Sequence, residues 1–248
     1  MVRDCAASLL AALKGVDAKL IVILDGCGEE YASLFPGAEI VRTDSIGNQA
    51  TFAMQMDVLC AADSEFVYFS EDDYIYRADA FSAMLRFMSE GAGVHFVTPL
   101  DHPDRYNGSV CEPRTAEIRI SGHCHWREVG TSCLTFMTRP ETLRRCRRAF
   151  LTYVRGEQDS VAWLGVTKFG LFSFSVLVRS AWSLMCRLCG RKVWFGRFIP
   201  LMAWWRHNVR LLWSPRFRLW SPIPSLAQHL CSASLAPFAK FTPQRGET

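Results

Sequence analysis

The chain has 248 residues, half of them hydrophobic and 12% aromatic, which is enough to bury a sizeable core and excludes global disorder. The net charge of +4 is unevenly spread: residues 1–170 hold 17 Lys/Arg against 23 Asp/Glu, whereas residues 171–248 hold 11 Lys/Arg against the single acid Glu247. Ten scattered cysteines, several in apolar context (Cys60, Cys133, Cys186), follow no signal-peptide pattern and read as reduced core thiols of a cytoplasmic protein rather than a secreted disulfide scaffold.

Cys5, Leu9, Leu10 and Leu13 fall at helical spacing and predict a short amphipathic helix. "AKLIVILDG" is a continuous apolar run stopped by Asp-Gly, the pattern of a strand buried on both faces, and "AEIVRTD" is a second strand. "GNQATFAMQMDVLCAA" predicts a helix opening at Gly47-Asn48 with Asn48 as its N-cap. "EFVYFSEDD" then reads as a third strand, and the alternation of strand and helix predicts a doubly wound α/β sheet with helices on both faces. Ligands in such sheets gather beyond the carboxyl ends of the strands, where Asp25 and Glu71–Asp73 stand.

"GVHFVTPLDHPDRY" predicts a strand entering a polar loop, and "REVGTSCLTFMTRPETLRR" a strand followed by a helix begun at Pro140. "GEQDSVAWLGVTK" predicts a further helix with acids in its first turn. Residues 169–220 carry Trp182, Trp194, Trp204, Trp205, Trp213 and Trp220 interleaved with arginines, and Arg179, Arg187, Arg191 and Lys192 break any run long enough to span a bilayer. Two readings of that stretch stay open: a basic helical lid on the domain, or a peripheral contact with a membrane face. No nucleic-acid-binding module is recognisable, so none is expected as a partner. "CRLC" (Cys186, Cys189) lacks the second pair of a zinc ribbon, and "GHCHW" places His123 and His125 on one side of a strand as a weak metal motif.

Three adjacent carboxylates at the tip of an apolar strand repel one another unless something positive sits among them. An oxygen-rich cluster there suits Mn2+ or Mg2+ bridging phosphate oxygens, and a divalent ion on a diphosphate stabilises a leaving group. "YFSEDDY" resembles the Asp-x-Asp-type motif of GT-A glycosyltransferases. The ordered set "VILDGC", "GNQATF", "YFSEDDYIYRADAF", "VTPLDHPDRY", "HWREVGTSCLTFMTRPETL" and "SPIPSLAQH" is similar to bacterial family-2-like members across most of residues 18–165 and 221–238.

The Trp/Arg composition marks off a basic helical segment over 169–220, and on either side of it the resemblance implies a Rossmann-like catalytic domain over 1–168 and a segment over 221–248 returning to the active site. It implies transfer of a sugar, inverting, from a nucleotide-diphosphate sugar to a hydroxyl of a glycan or lipid-linked acceptor. Asp73 would hold the metal together with His229, and Glu71 and Asp72 would contact metal, ribose or sugar. Asp25 would meet the base, while Gly47 and Asn48 would line the nucleotide pocket. The acceptor's proton would go to Asp159, with Glu157 as the second candidate base and Glu128 in reserve. Trp126 and Arg127 would flank donor or acceptor.

Two departures accompany it. Family members open with an apolar strand that this chain lacks, so a central sheet position is expected to stand empty, and Cys231 stands where an acid is expected. A degenerate homologue that binds a sugar nucleotide, a membrane or a partner without turnover is therefore the alternative. A nucleotidyltransferase would need a Gly-rich phosphate loop near the first strand, and none is present.

Overall fold

The computed structural model describes residues 1–106 and 116–230. The helices are α1 (Val2–Ala12), α2 (Glu29–Ala32), α3 (Asn48–Ala61), α4 (Ala80–Glu90), α5 (Pro140–Phe150), α6 (Asp159–Thr167), α7 (Phe174–Leu188), α8 (Ile199–His207) and α9 (Arg210–Trp213). The strands are β1 (Ile21–Asp25), β2 (Glu39–Thr43), β3 (Val67–Phe69), β4 (Tyr74–Tyr76), β5 (Phe96–Val97), β6 (Ile118–Ser121), β7 (Cys124–Val129), β8 (Phe136–Thr138), β9 (Leu219–Ile223) and β10 (Ala227–His229).

A six-stranded sheet in the order β3-β8-β5-β9-β7-β6 forms the centre. It is mixed: only β5 and β9 run parallel, and the other neighbours are antiparallel. The expected parallel sheet is thus corrected to an α/β fold on a mixed one. The reason lies in local chain economy, because β6 and β7 are joined by a Gly122-His123 turn, which can only make an antiparallel hairpin. His123 sits in that turn and His125 on the strand, so the two imidazoles do not share a strand face as expected.

Period-two alternation sorts each strand between two cores. Phe136, Phe96 and Leu219 point to one side, against Phe52 and Met56 of α3, Leu143 and Phe150 of α5, and Trp163 of α6. Their neighbours Met137, Val97 and Trp220 point to the other, against Phe81, Met84, Phe87 and Met88 of α4. Helices therefore cover both faces. Trp220 is fully buried in β9, and Trp126 stacks on Phe87 with ring centroids 4.4 Å apart. Both belong to the core, which removes Trp126 from the donor or acceptor site and ends the helical segment before Leu219.

β1 and β2 pair in parallel and stand apart from the six-stranded sheet, with α3 packed against both β1 and β3. Isolation has a visible cost: Ile21, Val22 and Ile23 are only half-buried, although their sequence is that of a strand covered on both faces. Helix α3 begins with Gly47 as its cap at φ 86° and Asn48 in the first turn, one residue earlier than expected. Glycine tolerates that left-handed angle at no steric cost.

Of the described cysteines all are free; Cys5, Cys124 and Cys146 are buried as core thiols, whereas Cys60, Cys133 and Cys186 are half-buried and Cys27 and Cys189 exposed. Cys231 lies outside the described residues, as does most of the segment after β10.

Candidate functional site

The three adjacent carboxylates diverge into different surroundings, although Asp73 still contributes to raising Glu71. After Phe69 the chain leaves the sheet, and Tyr-Ile-Tyr resumes as β4 with both tyrosines buried. β4 pairs with β10 instead of the large sheet, in the register Ala227↔Tyr76, Gln228↔Ile75 and His229↔Tyr74. That register sets His229 Nε2 2.9 Å from Asp73 Oδ2, and the Leu230 amide donates to the Asp73 carbonyl at 2.9 Å. The imidazole also stacks on Tyr74, with centroids 4.9 Å apart. Its hydrogen bond to Asp73, helped by Cys133 and opposed by burial, pushes the His229 pKa up to about 10, so at neutral pH it is an imidazolium donating to Asp73.

Glu71 turns the other way. Thr135 Oγ1 donates to its Oε2 at 3.0 Å and accepts from its amide at 3.2 Å. Burial raises Glu71 to about 7, against the lowering effect of the Thr135 bond. Asp72 is exposed between them.

Asp159 opens α6, where its Oδ1 accepts from the Ser160 amide at 2.6 Å. Burial raises its pKa, and the His229 imidazolium pulls it back in part. Asp159 in turn contributes to the upward push on Glu71, so the four groups share one electrostatic neighbourhood. Tyr153 feels both Glu71 and Asp159, and its hydroxyl accepts from Asn48 Nδ2 at 3.0 Å.

Tyr153 also lines a cavity of about 400 Å³, together with Ile46, Gly47, Asn48, Gln49, Gly156 and Glu157. Asp25 shapes that cavity's wall. Its Oδ1 accepts from Thr43 Oγ1 and the Ile46 amide, and its Oδ2 from the Gly47 amide, all at 2.7 Å. These bonds, led by Thr43, hold its carboxyl below the usual range. Both oxygens are thus committed to presenting Gly47 and Asn48, and Asp25 positions the loop instead of reaching outward.

The candidate bases separate on their partners. Glu157 is ion-paired with Arg206 of α8 at 3.1 Å. Glu128 is buried between Arg216 at 2.7 Å and Arg218 at 2.8 Å, which makes it part of the β7–β9 packing and removes it from the site. Arg127 pairs with buried Asp101 at 3.1 Å beneath the Tyr106 ring, again a structural contact. Asp159 keeps no cationic side chain of this kind at its carboxylate apart from the influence of His229.

The residues that sequence reasoning missed belong to the link between β7 and β8. Thr135 holds Glu71, Cys133 meets His229, and the Cys133 carbonyl accepts from Trp163 Nε1 at 3.1 Å. Thr98 and Ser132 hydroxyls bond at 2.9 Å, and Thr167 Oγ1 donates to the Gly130 carbonyl at 2.8 Å. The run of small polar residues "GTSCLT" between two apolar strands was the available signal. Trp163→Phe removes the bond to Cys133 with little loss of volume, and the stranded carbonyl is expected to cost about 1–3 kcal/mol, measured by urea unfolding.

Asp73 and His229 offer one carboxylate and one imidazole, donors that suit Mn2+ well and Mg2+ less well. Binding would displace the proton now held between them. Among the described residues no three His, Cys, Asp or Glu side chains form a metal-holding group. No protein-family model matches the chain, and no curated protein does.

Proposed function

We propose that this chain is a GT-A-type glycosyltransferase that moves a sugar from a nucleotide-diphosphate donor to an acceptor hydroxyl with inversion. The observation that carries the reading is the Asp73–His229 pair, joined through Glu71, Asp159 and Tyr153 to the cavity lined by Gly47 and Asn48. Tyr153, which lines the cavity, is the described link between it and the Glu71 and Asp159 carboxylates.

Asp73 and His229 would hold Mn2+ or Mg2+. When bound, the ion neutralises charge developing on the departing diphosphate. The loop fixed by Asp25 presents the Gly47 and Asn48 backbone to the nucleotide, and Tyr153 separates nucleotide from reacting sugar. Glu71 is poised to accept a hydroxyl of ribose or sugar. Asp159, made more basic by burial, takes the proton of the acceptor hydroxyl as that oxygen attacks the anomeric carbon. The donor's diphosphate leaves with the bonding pair.

A panel of UDP-, GDP- and dTDP-sugars with Mn2+ tests the reading: binding together with transfer or hydrolysis of at least one supports it, and neither across the panel overturns it. Glu157→Gln discriminates between the two bases. Because its carboxylate is engaged by Arg206, kcat is expected to fall less than about tenfold, whereas loss of the working base costs far more.

The separation of β1–β2 from the six-stranded sheet favours the second reading, a sugar-nucleotide-binding protein without turnover. Calorimetric nucleotide binding with no product from any donor would identify it.

A further inference from the structure

Helix α7 is built the wrong way round for a helix packed on a water-soluble domain. Such helices turn their apolar stripe to the core. Here Val176, Ser180 and Ser183 face inward, while Phe174 (82% exposed), Val178, Trp182 (69%), Met185 and Leu188 (74%) face out. The outward residues recur at intervals of four, four, three and three, which is a single helix face. Helices α8 and α9 add Trp205 (87%), Val209, Leu212 and Trp213 (86%), and α7 packs directly on α8.

Charge says what this apolar layer meets. Between Asp159 and Glu247 the chain has no acidic residue. Arg187, Arg191, Lys192 and Arg210 are all exposed among the apolar side chains. A second copy pairing through the same face would set these cations against their like. None of the described helices is long and apolar enough to cross a membrane. Exposed Trp and Phe beside Arg and Lys, with no carboxylate, match the boundary between headgroups and acyl chains of an anionic bilayer.

We propose that α7, α8 and α9 form a peripheral docking surface for an anionic lipid bilayer, with the α7 stripe and the Trp205 and Trp213 side chains entering the interface and the cations meeting lipid phosphates. The proposal stands apart from the catalytic reading, since none of these residues lines the cavity or the carboxylate cluster.

Co-sedimentation of the full chain with phosphatidylcholine–phosphatidylglycerol vesicles is the test, set against pure phosphatidylcholine. The expected result is binding to the anionic vesicles, weakened by salt, with a blue shift of tryptophan emission. Arg191→Ser and Lys192→Ser are each expected to lower partitioning roughly fivefold. Trp182→Ser with Leu188→Ser is expected to weaken vesicle binding and reduce the emission shift, the remainder coming from Trp205 and Trp213. All four side chains are exposed, so circular dichroism melts should match the wild type. Absence of binding to anionic vesicles, equal binding to both vesicle types, or a concentration-dependent dimer dissolved by Trp182→Ser would overturn the proposal.

Discussion

Asp73→Asn is expected to lower kcat/KM for the accepted donor about 10³-fold in saturating Mn2+. The size follows from the several kcal/mol of leaving-group stabilisation that a well-held divalent ion supplies. Asparagine keeps the shape of the side chain but is a poor metal donor, and β4 is held in place by its pairing with β10 and by the buried rings of Tyr74 and Tyr76, which the substitution leaves untouched. The loss should therefore appear in turnover and in Mn2+-dependent donor affinity, measured by calorimetry. Because the charged bond to His229 is lost as well, the unfolding midpoint should also fall at neutral pH, and the Mn2+ dependence of donor affinity separates the two effects. Asp63→Asn, an equal change of charge at an exposed position in the α3–β3 link, is the matched control and is expected to leave both unchanged.

Asp159→Asn is expected to cost roughly 10²–10⁴ in kcat while leaving donor binding close to wild type, as befits loss of a general base. The wild-type enzyme should lose activity as pH falls through the Asp159 pKa, and burial places that limb above the range of an ordinary aspartate. In the variant the limb should vanish. Stability should move oppositely. A carboxyl whose folded pKa is raised favours the folded state most below its unfolded pKa, and that contribution is lost as pH rises through the folded value. At neutral pH the ionised Asp159 is thus a burden on the fold, and Asp159→Asn, with its Oδ1 still able to accept from Ser160, should raise the melting temperature. Lower activity with a higher melting temperature separates a catalytic role from a merely structural one.

Sequence and structure agree where the signal is local. The apolar run ending at Asp25, the helix after Gly47, the strand before Ser70 and the helix begun at Pro140 all lie close to where periodicity and capping place them. Strand order was not legible, because β5 is two residues long and finds β8 and β9 through register with segments far along the chain. Tyr74–Tyr76 read as a continuation of the acidic motif, and only its pairing with Ala227–His229 makes it a strand. The roles of Asp25 and Glu157 changed for a related reason. Their residue types suit ligand contact, but Thr43, Gly47 and Arg206 take up their oxygens, and such partners have no signature at short sequence spacing. Asp73 and His229 were legible as candidates because strand-end carboxylates and a histidine after Pro-Ser-Leu stand out. Their contact, across a separation of 156 residues, was not.

That long reach has a temporal consequence. During translation β3, β4 and the whole cavity wall emerge before Ala227–His229, so the emerging domain has its Asp73–His229 pair still half absent. Nascent chains, and any product of proteolysis ahead of Ala227, would lack the Asp73–His229 pair whatever else had folded. The Asp73–His229 pair can form only once the chain has been made as far as His229.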